Sequence, residues 1–211
     1  IHVAGVDFEN WRTRNPNSEA NGGVDFNWTR DAEIPVNIEF FDVNQSQANL
    51  NQQAGIKIHG NWSREHRLKT LRFYARNLYG QDSFNYPLFS DEPYSSYRRF
   101  LLRNTGNDFT NAYMRDPLVH TLSKGLEFDR MAYRPSEVFL NGEFWGLMNI
   151  RERIDDNYLY QKFGVLETEI DMVQNNQEPE LGDMSFFNEM LQLLENNPVS
   201  STQNFQKIQE M

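Results

Sequence analysis

Residues 136–153 read SEVFLNGEFWGLMNIRER and contain the clearest structural signal of the chain. Asn141 and Gly142 tolerate positive φ, as a two-residue type I′ hairpin turn requires, and apolar runs flank them on both sides. The turn predicts a register of three facing pairs: Leu140 with Glu143, Phe139 with Phe144, and Val138 with Trp145. Both faces of this hairpin are apolar, which predicts an inner strand pair that is covered on both sides.

Polar side chains follow where the hairpin leaves the predicted core: Asn149, Arg151, Glu152 and Arg153. Charges at the exit of a buried strand pair can line a functional site, or they can belong to a solvated strand end. The pattern by itself leaves both interpretations open.

Composition limits the classes of function. The chain has 211 residues, enough for one domain or a large domain with an appendage, and its 16 Phe, 9 Tyr and 4 Trp support a real core. A net charge of −10 argues against nucleic-acid partners and anionic membranes. No apolar run approaches the roughly 20 residues of a membrane helix, so no membrane insertion is expected. The absence of cysteine excludes disulfides and fits a secreted bacterial protein.

The order of patterns along the chain predicts three parts. Residues 1–34 are rich in Asn, Asp, Gly and Arg, which indicates an irregular segment packed on the body. Its expected anchors are aromatic: Trp11, Phe26 and Trp28. Residues 35–152 form a sheet with one helix, and residues 153–211 form a helical part. Because the chain begins at Ile1 without a signal peptide, we expect a mature fragment.

The predicted fold class is α+β. Alternating patterns predict four strands besides the hairpin, at residues 35–43, 54–59, 68–76 and 97–103, in a mostly antiparallel sheet of about five strands. Asp116 and Pro117 resemble the N-cap and first position of a central helix. Apolar residues then recur at helical spacing: Leu118, Val119, Leu122 and Leu126. Further helices are expected at 155–163, 184–195 and from residue 203, with a short strand at 169–173 and a turn at 178–183.

A group of basic residues is the main candidate for chemistry. The turn Gly60-Asn61-Trp62-Ser63-Arg64 joins two strands, and backbone amides beside Arg and Lys can cradle phosphate oxygens. Lys69 alternates onto the same face as Leu71 and Phe73. Its ammonium can reach solvent at the strand end, or it can project into a cavity and meet an anion.

Common catalytic motifs are absent from the sequence. There is no G-x-S-x-G, no P-loop and no H-E-x-x-H, and the histidines have no metal-ligand spacing: His2, His59, His66 and His120. We therefore assign no catalytic and no metal-binding residue, and a metal-dependent hydrolase is disfavoured.

Three stretches resemble the CotH kinase family, named for a spore-coat protein. They are GIKIHGNWSREHRLKTLRFYAR (55–76), LRNTGNDFTNAYMRDPLVHTL (102–122) and VFLNGEFWGLMNIRERIDDNYL (138–159). The resemblance covers nearly all of the chain and about the N-terminal half of the family's domain. It implies the N-lobe and the start of the C-lobe of an atypical protein-kinase-like fold. It further implies transfer of the γ-phosphate of ATP, with Mg, to Ser or Thr of a secreted or bacterial cell-surface protein.

Six residues match nucleotide-binding positions of that family: Ser63, Arg64, Lys69, Arg115, Asp116 and Glu152. By this resemblance, Lys69 holds the nucleotide phosphates beside the turn of Ser63 and Arg64. The Arg-Asp pair matches the family's pair at the central helix, and Glu152 matches a glutamate near the adenine side.

The sequence also departs from the family pattern. The family's catalytic and metal-binding aspartates lie in a later segment, beyond Met211, and the central helix has no glutamate that faces Lys69. His66 and Arg67 replace the usual proline and basic residue. We therefore expect residues 1–211 alone to transfer no phosphate. The alternative is a non-catalytic surface module for a glycan or protein ligand, which the Trp and Tyr content and the Asn/Gln-rich loops would suit.

Overall fold

A computed structural model describes residues 1–4, 32–60, 62–66, 68–108, 111–174, 178–196 and 201–209. The chain divides into two compact units, Ile1–Ile154 and Asp155–Met211. The aromatic anchors expected in the N-terminal segment lie outside the described residues. Among the described helices, none combines the length and the apolar character needed to cross a bilayer.

Nine strands lie in the described part of the first unit. In chain order they are β1 (His2–Ala4), β2 (Ile34–Phe40), β3 (Leu50–His59), β4 (Thr70–Tyr74), β5 (Phe84–Asn85), β6 (Ser96–Tyr97), β7 (Arg99–Arg103), β8 (Tyr133–Leu140) and β9 (Glu143–Arg151). Seven of them form a closed barrel in the order β1-β2-β3-β4-β7-β9-β8, while β5 pairs with β6.

Strand β1 closes the barrel. Val3 pairs with Ile38 of the antiparallel neighbour β2 and with Leu140 of the parallel neighbour β8, and its side chain is fully buried. The predicted α+β fold with a five-stranded sheet and a central helix is therefore wrong, because the protein is mostly β with few short helices. Strand β1 has only three residues, and its partners lie far away along the chain. It therefore produces no local periodicity, which is why its sequence predicts an irregular segment.

The barrel interior is the hydrophobic core. Alternate residues of each strand point inward, as on β4, where Leu71 and Phe73 are fully buried. Phe73 stacks on Phe100 of β7 with ring centroids 4.9 Å apart, and Phe84 meets the same ring edge-on at 4.9 Å. Burial of these large apolar surfaces provides the main driving force for closing the barrel.

The hairpin turn forms as predicted, but its register slips after two pairs. Asn141 and Gly142 have φ of 51° and 85°, and the Leu140–Glu143 and Phe139–Phe144 pairs are confirmed. Val138 pairs with Gly146 and not with Trp145, because the register shifts between Val138 and Phe139. The shift places Met148 and Ile150 in the core with Val138, and it leaves Phe144 and Leu147 about 60% exposed. The prediction of burial on both faces is wrong.

Helix α1 (Arg115–Leu122) is not a buried central helix. Its N-cap is Met114, so Asp116 belongs to the first turn, and Pro117 is its buried residue. Leu118, Val119 and Leu122 are 52%, 58% and 74% exposed. Helical spacing correctly indicated a helix, but it could not tell which side of that helix faces the core.

The described residues of the second unit form three α-helices and a two-stranded ribbon. Helix α2 (Asp156–Phe163) begins where the Asp155 side chain accepts a hydrogen bond from the Tyr158 amide, and it ends at Gly164 with φ of 71°. Strands β10 (Met172–Gln174) and β11 (Glu178–Leu181) pair antiparallel, so most of the turn predicted at 178–183 is a strand. Helices α3 (Ser185–Asn196) and α4 (Thr202–Gln209) confirm the last two predicted helices.

Candidate functional site

Lys69 and Arg64 are bound to the backbone of one short turn. The turn follows Gly60, which has a φ of 118°, and contains a 3₁₀ segment at Trp62–Glu65. The Arg64 Nε atom donates a hydrogen bond to the Gly60 carbonyl oxygen at 2.5 Å. Lys69 is only 9% exposed as a residue, and its ammonium donates a hydrogen bond to the carbonyl oxygen of Arg64. The structure thus brings two of the predicted phosphate-binding cations together.

Gly60 permits a close approach that a larger residue would block. A Cβ atom at this position would lie 2.3 Å from the Ser63 Oγ atom, so the hydroxyl sits directly against the glycine. Ser63, Arg64 and Lys69 therefore surround one turn, and each supplies a donor of the kind that phosphate oxygens accept. The side chains of this turn fit a phosphate group by their chemistry.

Glu152 is buried and connects two loops to the end of β9. Its side chain is 2% exposed, and Oε1 accepts a hydrogen bond from the Tyr94 hydroxyl. Oε2 accepts from the Ala132 amide at 3.2 Å, while the Glu152 amide donates to the Ala132 carbonyl at 3.1 Å. Burial, followed by this hydrogen bond to Glu152, raises the pKa of the Tyr94 hydroxyl. These contacts give the carboxylate a structural role.

Lys69 and Glu152 stand at different levels of the barrel. When the β4–β7 register is extended by two residues and the β7–β9 register by one, Lys69 aligns with Asn104 and then with Met148. Glu152 lies four positions beyond Met148, which is roughly 13 Å along the strand direction. The structure therefore does not set these two residues side by side, as a small shared cleft would require. A ligand that touches both would have to be extended.

Arg115 and Asp116, the predicted pair at the start of α1, contact different groups. Arg115 is 67% exposed, and its Nη2 atom lies 3.3 Å from Asp108 Oδ1, while its amide donates to Asp108 Oδ2 at 3.1 Å. Asp116 turns instead toward the barrel, where its Oδ2 atom lies 3.3 Å from Arg103 Nε and 3.5 Å from Arg151 Nη2.

Arg103 and Arg151 are charged residues that the sequence analysis did not assign to a site. Arg151 is fully buried, and the three nitrogen atoms of its guanidinium group make no hydrogen bond to the part of the chain that the structure describes. Burial lowers the pKa of Arg151, and the charge of Asp116 opposes that change. In the sequence, Arg151 is one of several charges at the hairpin exit and Arg103 ends a short strand, so neither position signals a cluster.

A metal site is not assigned. Within the described ranges, no three His, Asp or Glu side chains converge in a way that could hold an ion. The candidate site is therefore the cationic turn of residues 60–64 with Lys69.

The comparisons with known proteins agree with the resemblance seen in the sequence. A family model described as CotH kinase protein matches residues 56–211, which is well over half of the chain. A search of curated proteins found no matching sequence. The matched range includes the turn of Ser63 and Arg64, Lys69, helix α1 and Glu152. The chain belongs to the CotH kinase family.

Proposed function

We propose that this chain is the nucleotide-binding part of a CotH-type protein kinase, in which Lys69 and the turn at residues 60–64 hold the phosphates of ATP. One observation carries the proposal: the ammonium of Lys69, a residue that is largely buried, donates a hydrogen bond to the Arg64 carbonyl oxygen of the turn that also contains Ser63. Membership of the CotH kinase family supports ATP and Mg as the ligands.

The chemistry of phosphoryl transfer explains why this arrangement is useful. Catalysis of this reaction depends on positioning and on neutralising charge at the phosphate oxygens, and it needs little covalent help from the protein. Lys69 is already held in place before a ligand arrives, so binding loses less side-chain freedom. Arg64 adds a second cation and Ser63 a neutral donor. A bound Mg ion would supply further positive charge at the phosphates.

The phosphate acceptor follows from the family and not from a feature of the site. A kinase-like family suggests a protein substrate, and we propose Ser or Thr side chains of a secreted or cell-surface protein. Glu152 is proposed to lie toward the adenine side, which the roughly 13 Å between its strand level and that of Lys69 would allow for an extended nucleotide.

A second candidate function is a non-catalytic module that binds another protein. Exposed apolar side chains on and after α1 favour it: Leu118, Val119, Leu122, Leu126 and Phe128 are all more than half exposed. Apolar side chains grouped in this way are typical of interaction surfaces.

Calorimetric titration with ATP and Mg tests the proposal. We expect the unmodified chain to bind ATP and Lys69→Met to bind at least about tenfold more weakly, the loss expected for one hydrogen bond to a charged group. Lys57→Met is the matched control, because Lys57 lies on β3 with its ammonium 5.7 Å from the centre of the Tyr74 ring. Thermal melts of both variants establish that they fold.

Two results would reject nucleotide binding at Lys69. One is the absence of ATP binding to the unmodified chain, and the other is equal affinity in Lys69→Met and Lys57→Met. A chain that fails to bind ATP but binds a protein ligand, with weaker binding in Leu118→Ser, would support the second candidate.

A further inference from the structure

A second candidate site lies in the first unit, away from the Lys69 turn. A cavity of about 530 Å³ opens between the loop after Tyr86, the end of α1 and the start of β8. Tyr133 in its wall pairs with Arg151 of β9, and β8 is three strands from β4 in the barrel order. A volume of this size suits a small organic molecule.

Cations outnumber anions among the lining residues. Lys124, Arg130 and Arg134 line the cavity, and Asp91 is the one carboxylate among its described lining residues. This excess of positive charge contrasts with the net charge of −10 of the whole chain. A cationic cavity in an acidic protein favours an anionic ligand. The cavity attracts such a ligand, whereas the rest of the surface repels it.

A bound anion can replace Asp91 as the ion-pair partner of Lys124. The Lys124 Nζ atom lies 2.9 Å from Asp91 Oδ2, with side chains 58% and 55% exposed. Because exposed pairs of this kind contribute little stability, an incoming anion can take over Lys124. Arg134 is held more firmly, by Asp42 Oδ1 at 2.5 Å and by the Tyr86 hydroxyl at 3.4 Å.

His120 lines the same cavity, and its pKa is lowered chiefly by burial and secondarily by nearby arginines. Its Nδ1 atom accepts a hydrogen bond from the Met131 amide at 3.2 Å, so the neutral ring carries its hydrogen on Nε2. Burial, and then the charge of Arg151, lowers the pKa of His120 even though Asp116 lies 3.8 Å from Nε2. Arg130 acts in the same direction.

The remaining lining combines apolar side chains with the hydroxyl groups of Ser90 and Thr121. Its aromatic rings are Phe89, which is buried, and Tyr133, which is half-buried. Such walls accept a flat apolar body beside the charged group.

We propose that this cavity binds a small organic phosphate, with the phosphate near Arg130 and Lys124 and the organic group against Tyr133. The cavity lies apart from the Lys69 turn, which is proposed to hold the phosphates of ATP, and its wall at Ala132 contacts Glu152 on the proposed adenine side. Its phosphate contacts do not involve Lys69. Lys124 and Arg130 supply donors for the phosphate oxygens, and Arg134 adds positive charge from the β8 side.

Calorimetric titration of the full chain with phenyl phosphate tests this inference, with inorganic phosphate and phenol as separate arms. We expect phenyl phosphate to bind more tightly than inorganic phosphate and phenol not to bind. Arg130→Gln should weaken phenyl phosphate binding at least about tenfold, as loss of one charge-assisted hydrogen bond predicts. Lys57→Gln on β3 is the control and should leave the affinity unchanged.

Saturating ATP and Mg should not change the affinity for phenyl phosphate. Competition between the two would overturn the separate site, as would equal binding by Arg130→Gln and Lys57→Gln. Absence of binding to the unmodified chain would overturn the inference as a whole. The competition experiment depends on ATP binding, but the Arg130→Gln comparison and the titration of the unmodified chain do not. Failure in those two measurements is therefore distinct from failure of the proposed function.

Discussion

Arg151 is fully buried against helix α1, with its Nη2 atom 3.5 Å from the Oδ2 atom of Asp116. The same carboxylate oxygen lies 3.3 Å from Arg103 Nε, so one acid serves two guanidinium groups from neighbouring strands. A buried cation is costly unless an opposite charge accompanies it. Asp116 therefore fastens the first turn of α1 to β7 and β9.

Replacing Asp116 with Asn should destabilise the first unit. The change leaves Arg151 buried without a carboxylate, and removal of one partner of a buried pair typically costs about 3 kcal/mol. Urea denaturation measures the change in the free energy of unfolding. Asp91→Asn is the control, because the Asp91–Lys124 pair is exposed and its loss should cost less than about 1 kcal/mol.

A double variant tests whether the stability lost in Asp116→Asn comes from the unpaired charge of Arg151 or from a change in helix α1. Combining Asp116→Asn with Arg151→Met removes the unpaired cation, and the apolar replacement should recover much of the lost stability. If Asp116→Asn alone is as stable as the unmodified chain, Asp116 does not compensate Arg151.

Local patterns predicted most strands but not the barrel. Alternation found β2, β4 and the hairpin, because each strand carries its own period-two signal. Closure depends on Val3, which pairs with Ile38 and Leu140, and no local pattern encodes that distant contact. The bulge beside Val138 was missed for a similar reason, since a shift of one residue changes the partner without changing the composition.

Replacing Gly142 with Ala should weaken the hairpin through backbone strain alone. Gly142 has a φ of 85°, and no atom lies within 4 Å of a Cβ added there. The expected cost is therefore the left-handed conformation of an L-residue, about 1 kcal/mol. Thermal or urea unfolding measures it, with Glu143→Ala as the neighbouring control. A loss no larger than that of the control would contradict a strained turn at this position.

The candidate site was only partly accessible from sequence. The alternation places Lys69 on the apolar face that continues into β4, and the structure shows the residue largely buried. Its projection toward an anion stays a prediction. The contact between Lys69 and the Arg64 carbonyl could not be predicted from the sequence, because the contact depends on how the 3₁₀ turn folds. Arg151 was harder still, since an arginine at a strand end usually reaches water and here a helix covers it.

His59 should make stability depend on pH between 7 and 5. Burial, and then the charge of Arg72, lowers the pKa of His59 to about 3. In the unfolded chain His59 binds a proton near pH 6.5, whereas in the folded chain it binds that proton only at a much lower pH. Stability is therefore fully present above about pH 6.5 and falls as the pH drops toward 3, by at most about 1.4 kcal/mol per pH unit.

Urea unfolding at pH 7, 6 and 5 checks this dependence. His59→Gln should flatten the slope because the titrating group is gone. Ile58→Val on the same strand is the control, since it should lower stability by about 1 kcal/mol at every pH and leave the slope unchanged. If the free energy of unfolding changed equally with pH in His59→Gln and in the unmodified chain, a buried neutral His59 would be ruled out as the cause of the dependence.

Glu152→Ala tests whether this carboxylate holds the barrel end together. The change leaves the Tyr94 hydroxyl and the Ala132 amide without their acceptor, which should cost about 3 kcal/mol in unfolding free energy. Glu152→Gln keeps an acceptor oxygen and should cost less, while Tyr94→Phe removes one donor and should cost about 1 kcal/mol. Urea denaturation of the three variants gives the order. If Glu152→Ala unfolds at the same urea concentration as the unmodified chain, the carboxylate is not structural. A loss of ATP affinity in folded Glu152→Gln would then identify it as a ligand-binding group.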